Sequence, residues 1–395
     1  MQRTQHYTIQ TGLEVFLQEG LPQLQGKRVG LITNQSGVDH RLRTTVDLLA
    51  ADERIHLHAL FGPEHGIRGD AQAGVKVDGS VDQCTGLPVY SLYGQTHRPT
   101  AEMLQGLDAL IFDIQDSGAR YYTNLATLVY AQEAAAVAGL TFVVFDRPNP
   151  ITGIQIEGNI LDSNFASLVG IHPLPIRHGL TIGELARLFA AERNCPPPIV
   201  VPMRNWQRTL WFDETDLPWV YPSPNLPTLD AVTLYPGTCL LEGTNISEGR
   251  GTTRPFELIG APWLDPFALR AELEQLSLPG VAFRPAYFTP TFSKHAQILC
   301  RGVQIHITDR ESLRPVELGL HLLATLHTLQ PDTFTWITSS NNRYFIDRLF
   351  GDDQLRHALD TGVDVATCKT GWDEGLAAFK ERRQPYLLYE EKERA

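Results

Sequence analysis

The chain has 395 residues, 45 of them Asp or Glu and 33 Lys or Arg, for a formal net charge of −12 at pH 7. At 43% hydrophobic residues, with 17 Phe, 12 Tyr and 6 Trp, it can build one large core or two and falls outside the disordered class. The acidic balance, without any block of Lys and Arg, argues against a sequence-independent grip on nucleic acid and against docking on an anionic membrane.

In chain order, a first strand is predicted at residues 27–33. A helix follows at 43–54, carrying apolar Val46, Leu48, Leu49 and Ala50, then a second strand at 55–61. After a glycine-rich connection come a short strand at 89–92, a helix at 100–106 with Thr100 as N-cap, and a buried strand at 109–114. An Ala-rich helix at 125–138 stopped by Gly139, a strand at 141–146, a helix at 181–194 and a strand at 198–202 continue the alternation. Short β-branched runs alternating with helical patterns specify parallel strands with crossover helices. The expectation is therefore a Rossmann-like, doubly wound, mostly parallel α/β catalytic domain over residues 1–260. From Trp263 the pattern changes to a helix at 266–275, strands at 281–288 and 302–308, and a helix at 315–329. This predicts a smaller α+β domain over 261–395 closing a cleft. The stretch 342–391, helical and rich in Arg, Glu and Lys, reads as solvated surface.

Cys84, Cys195, Cys239, Cys300 and Cys368 are widely spaced, with no CxxC, so buried free thiols are expected, leaning towards a reducing compartment. The first ten residues lack the apolar core of a signal peptide, and no apolar run reaches the roughly 18 residues of a membrane span. The sequence as it stands reads as cytoplasmic, the alternative being an exported protein with its leader removed.

Ligands of open α/β sheets sit beyond the carboxyl ends of the strands, so the residues after each predicted strand carry the functional signal. FGPEHGIRG at 61–69 puts Glu64, His65 and Arg68 between backbone-restricting Gly and Pro, a setting that holds a carboxyl for proton transfer. FDIQDSGARYYT at 112–123 brings Asp116, Arg120, Tyr121 and Tyr122, and a ring face beside polar groups suits a sugar. FDRPNP at 145–150 presents Asp146, Arg147 and Asn149 on a proline-fixed turn, followed by Glu157 between apolar neighbours, where burial would raise its proton affinity. Arg177 and His178 form a weaker candidate of the same type. LEGTNISEGRGTTRPFE at 241–257 is the densest cluster, with Glu242, Asn245, Glu248, Arg250 and Arg254 among glycines. Its guanidiniums are shaped to fork onto a ligand carboxylate.

No GxGxxG follows the first strand, and no GxxxxGK[ST], GxSxG or HExxH occurs, so no cofactor and no metal is assigned. His56 and His58 alternate onto one strand face ahead of His65. They sustain a competing reading as a metal-dependent amidohydrolase-type hydrolase. A second alternative is a non-catalytic sugar-binding protein, since two lobes around a cleft can clamp a ligand without reacting with it.

With the four motifs at 61–69, 113–123, 146–150 and 242–257 in this order, the sequence resembles the bacterial exo-β-N-acetylmuramidases from about Gly12 to the C-terminal region. The resemblance implies a Rossmann-like N-terminal domain, a smaller C-terminal domain and a cleft between them. It also implies release of N-acetylmuramic acid from the non-reducing ends of peptidoglycan fragments in cell-wall turnover. MurNAc-containing muropeptides or disaccharides would be the partners, and Glu64 of the PEHG motif the catalytic carboxyl. Glycoside cleavage needs a protonated carboxyl at the leaving oxygen and a second group facing the oxocarbenium charge. That second group is Glu157, Glu242 or Glu248, or else the substrate's own acetamido oxygen with Asp116 orienting it. Arg254, Arg250 or Arg68 would distinguish muramic acid from glucosamine through the lactyl carboxylate.

Overall fold

The computed structural model describes residues 8–64, 66–69, 80–94, 96–339 and 343–391. Its first layers are set by strands buried on both faces. β1 (Arg28–Thr33), β2 (His56–Gly62), β3 (Ser80–Val81), β4 (Pro88–Ser91), β5 (Ala109–Asp113) and β6 (Thr141–Phe145) come first in the chain, and along the central β1, β5 and β6 successive side chains point to opposite sides. Leu110 and Phe112 of β5, with Phe142 and Val144 of β6, enter one core. Ala109 and Ile111, with Val143 and Phe145, enter the other. Helices cover both faces: α1 (Gly12–Glu19) and α2 (Thr45–Ala50) on one, α3 (Asn124–Ala138) and α4 (Ile182–Glu192) on the other. Each fully buried Leu or Phe contributes about 1.5–3 kcal/mol relative to exposure.

Among the described residues the sheet has seven strands, closed by β9 (Ile199–Val201), in the order β3-β4-β2-β1-β5-β6-β9. Every neighbouring pair is parallel except β3 with β4. The order turns back at β1, which has β2 on one side and β5 on the other, so the loops leaving β1, β2 and β5 open the crevice where such sheets bind ligands. A two-stranded ribbon, β7 (Glu157–Ile160) with β8 (Pro175–Arg177), lies outside the sheet.

A second core forms around α5 (Leu229–Thr238) and a three-stranded antiparallel sheet in the order β10-β12-β11, with β10 (Leu258–Ala261), β11 (Val281–Phe288) and β12 (Cys300–Ile307). It is completed by α6 (Pro266–Gln275), α7 (Pro315–Leu329), α8 (Phe345–Phe350), α9 (Gln354–Asp360) and α10 (Val365–Cys368). α11 (Trp372–Arg383) returns to pack Phe379 into the first core. Ala119, Tyr121, Tyr122, Ile151 and Trp211, from loops of the first half, belong to the second core, so the two halves share packing. At the crossing of α5 and α7 the backbones touch. A Cβ on Gly237 would lie 1.7 Å from Pro315 O, and one on Gly319 2.4 Å from Gly237 O, so only glycine fits at either position.

The doubly wound sheet with a smaller C-terminal part agrees with the expectation. Residues 100–106 form turns rather than a helix, with one helical bond from Leu104 N to Thr100 O and Met103 N capped by Thr100 Oγ1. The predicted helix over 43–54 shrinks to α2: it starts late because Thr44 is the N-cap, its side chain accepting from Asp47 N, and it ends at Ala50. The stretch expected to be solvated surface contains α8, whose Ile346, Leu349 and Phe350 are buried. The five cysteines are free thiols, three buried, with Cys84 exposed and Cys195 partly so. Among the described residues no helix is long and apolar enough to cross a membrane.

Candidate active site

The loop after β2 carries Glu64 to the sheet's carboxyl edge, and the loop after β5 brings Tyr121, Tyr122, Thr123 and Asn124 beside it. From the second half, the turn Cys239–Gly243 after α5 contributes Cys239 and Glu242, and the following loop contributes Arg250. These residues line one cavity of about 210 Å³. Tyr93, Ser223, Asn225, Tyr235 and Phe256 extend its wall, and Val169, Phe345 and Leu349 close it with apolar surface. A small cavity mixing aromatic faces with two carboxylates and a guanidinium fits a single sugar ring.

Glu64 is fixed from two sides. Thr123 Oγ1 donates to its Oε2 at 3.1 Å, and the Tyr93 phenol also hydrogen-bonds it. Burial, reinforced by the Glu64 charge, pushes the Tyr93 hydroxyl up to about 12, so it remains a neutral donor at physiological pH.

In the second half's share of the lining, Arg250 Nη2 donates to Glu242 Oε1 at 2.7 Å, and Arg250 Nε lies 3.3 Å from Glu248 Oε1. The guanidinium sits over the Phe256 ring, 5.2 Å from its centroid. The two carboxylates hold the Arg250 pKa well above its ordinary value despite burial. Glu248, 2% exposed, also accepts from Lys294 Nζ at 2.9 Å, and the same ammonium donates to Leu241 O and Ile246 O at 2.8 Å each. Lys294 thus staples the segment bearing Glu242 and Arg250. Gly251 permits this path: its φ is +80°, and a Cβ there would lie 2.5 Å from Phe292 O.

Of the residues singled out from sequence, Glu64, Tyr121, Tyr122, Glu242 and Arg250 meet in this cavity. His65 lies outside the described residues. The others have partners elsewhere. Arg68 is forked onto Asp82 at 2.7 and 3.0 Å and reaches Asp47 at 3.1 Å. Arg120 is fully buried and donates to the carbonyls of Asn159, Leu174, Leu349 and Phe350, fastening the ribbon to α8. Asp116 accepts from Gly118 N at 3.0 Å and lies 3.2 Å from His178 Nε2. Asp146 accepts from Thr181 Oγ1, Gly183 N and Tyr389 OH at 2.8, 2.7 and 2.6 Å, anchoring the start of α4. Asn149 bridges Leu180 O and Ile151 N. Asn245 bridges Thr333 O and Thr335 N. Arg254 is largely exposed and pairs with Glu257 at 3.3 Å.

Glu157 is buried beneath α7, where its Oε1 accepts from Glu317 N at 2.9 Å, and burial pushes its carboxyl up to about 7. It and Glu248 lie outside the lining, Glu248 acting on the cavity through Arg250. Arg177 is buried beneath Trp211, with its guanidinium 5.5 Å from the ring centroid. His56 and His58 are exposed at the start of β2, and no cluster of three metal-binding side chains occurs among the described residues. Tyr93 and Lys294 were not anticipated from sequence. Tyr93 follows a predicted strand, the one available signal, whereas Lys294 acts from a turn about 50 residues beyond Glu242.

Residues 29–230 match the family described as "Exo-beta-N-acetylmuramidase NamZ, N-terminal" and residues 233–389 its C-terminal counterpart. The peptidoglycan β-N-acetylmuramidase NamZ of Bacillus subtilis (strain 168) is 50% identical over 382 residues, covering 96% of this chain and 91% of that protein. Two crystal structures of DUF1343 family proteins from Bacteroides fragilis NCTC 9343 share the fold. One has a TM-score of 0.88 at 36% identity, over 97% of this chain and 99% of its own. The other has a TM-score of 0.78 at 31% identity, over 98% and 100%.

Proposed function

This chain belongs to the NamZ family of exo-β-N-acetylmuramidases, and from that premise we propose that it removes N-acetylmuramic acid from the non-reducing ends of peptidoglycan fragments. It is a glycoside hydrolase. The observation that supports the assignment of roles is that one sugar-sized cavity is lined by Glu64 from the first half together with Glu242 and Arg250 from the second.

In this reading Glu64 is the general acid. Its carboxyl hands a proton to the departing glycosidic oxygen, and the Tyr93 and Thr123 hydroxyls fix its orientation and stabilise the carboxylate that remains. Glu242 is the second carboxylate, facing the positive charge that spreads over C1 and the ring oxygen as the bond breaks. Arg250, already charge-paired and held over Phe256, presents a guanidinium to the lactyl carboxylate that distinguishes muramic acid from glucosamine.

The test is hydrolysis of a chromogenic N-acetylmuraminide beside its glucosaminide counterpart. Release from the muraminide alone is expected, with kcat reduced about 10²–10⁴-fold in Glu64→Gln while circular dichroism is unchanged. Undiminished turnover in that variant removes Glu64 from the mechanism.

A further inference from the structure

A second chamber of about 580 Å³ adjoins the sugar cavity, within the usual range of about 300–1,000 Å³ for ligand sites. The same two segments wall both spaces. Residues 164–167 and Tyr344, Asp347 and Arg348 of the α8 region face the chamber, while Leu168, Val169, Phe345 and Leu349 face the cavity.

In a chain with net charge −12, this chamber presents Arg343, Arg348 and Arg356 against a single lining carboxylate, Asp347. Arg356 is committed: it forks onto Asp347 at 2.9 Å and lies over the Tyr344 ring, 4.0 Å from its centroid. Asp360 approaches it at 4.0 Å from outside the lining. Arg343 and Arg348 have no side-chain hydrogen bond or ion pair among the described residues, and Arg348 is only partly exposed. Two unspent guanidiniums on a roomy space constitute an anion receptor, and guanidinium geometry favours a carboxylate.

Resting on the function proposed above, we infer that this chamber is a distal subsite for a carboxylate carried by the peptidoglycan fragment outside the sugar being released. Arg343 and Arg348 are its ligands, and Arg356 with Tyr344 forms its fixed floor. Two parts of a fragment offer that chemistry: the lactyl group of the next muramic acid along the glycan, and the peptide stem.

The experiment compares wild type with Arg343→Ala/Arg348→Ala on three substrates. They are a chromogenic muraminide, a tetrasaccharide of two disaccharide repeats, and the same tetrasaccharide bearing a stem peptide on its internal muramic acid. The expected result is a fall of about tenfold in kcat/KM for a carboxylate-bearing fragment relative to the muraminide, carried by KM, weaker at high salt and partly restored by Arg348→Lys. A relative loss confined to the peptide-free tetrasaccharide identifies the glycan carboxylate, and one confined to the peptide-bearing substrate identifies the stem. Equal ratios on all three substrates overturn the inference. If wild type is silent on the muraminide, the proposed function fails instead. The chamber is then still read by calorimetric titration of the same fragments, where equal affinity for wild type and double variant overturns it.

Discussion

Replacing Lys294 by Met keeps the length of the side chain and removes its charge, isolating the staple that holds the second half's share of the site. Wild-type Nζ makes three bonds of 2.8–2.9 Å, to Leu241 O, Ile246 O and Glu248 Oε2, from a side chain 18% exposed. Removing one member of a buried ion pair costs about 3–5 kcal/mol. Arg250 Nε still faces Glu248 at 3.3 Å, which keeps the loss at the lower end, about 3 kcal/mol. At about 1.2 °C per kcal/mol for a chain of this size, the midpoint falls by about 4 °C in differential scanning fluorimetry. The freed segment carries Glu242 and Arg250, so kcat/KM on a chromogenic muraminide drops about tenfold at temperatures where the variant is folded. A midpoint within about 1 °C of wild type together with unchanged kcat/KM would refute the staple.

Glu157 supplies a pH-dependent prediction. Its carboxyl is raised from 4.5 to about 7, so between those values the native state holds a proton that the unfolded chain has released. This contribution to stability is intact below about pH 4.5 and lost as the pH climbs to about 7. Glu157→Gln should therefore match wild type near pH 4 and exceed it by up to about 3 kcal/mol at pH 8 in denaturant titrations; an equal difference at both pH values sinks the account. Arg250→Gln should erase the preference for muraminide over glucosaminide, whereas Arg254→Ala, pointing to solvent against Glu257, should change that ratio less than about twofold. The reverse pattern would move lactyl recognition to Arg254.

The parallel sheet was legible because its strands are short, apolar and β-branched, and because nearly all are followed by helical patterns that can only be crossovers. Glu64 and the 241–257 loop stood out for a related reason: charge crowded between glycines beyond a strand cannot belong to a core. Burial depth was not legible. Arg120 and Asp146 have the composition of ligand-binding residues, yet Arg120 is spent on backbone carbonyls of the ribbon region and α8, and Asp146 on the Thr181 and Tyr389 hydroxyls and the Gly183 amide, all distant in sequence. Lys294 was invisible for the converse reason, since an isolated lysine in a turn becomes informative only when folding sets it under three oxygen acceptors. α8 was read as surface because Asp347 and Arg348 put charge into a short segment, although Asp347 is itself buried against Arg356 and Ile346, Leu349 and Phe350 are buried beside it.

The Tyr121 hydroxyl, from a loop of the first sheet, donates to the Pro236 carbonyl in the second core, and the seam between the two family matches falls just before that point. A chain nicked or half-folded at this seam keeps one carboxylate on each side and a complete site on neither. The two halves must be synthesised, inherited and inactivated together, and hydrolysis itself becomes the assay for whether the last stage of folding has taken place.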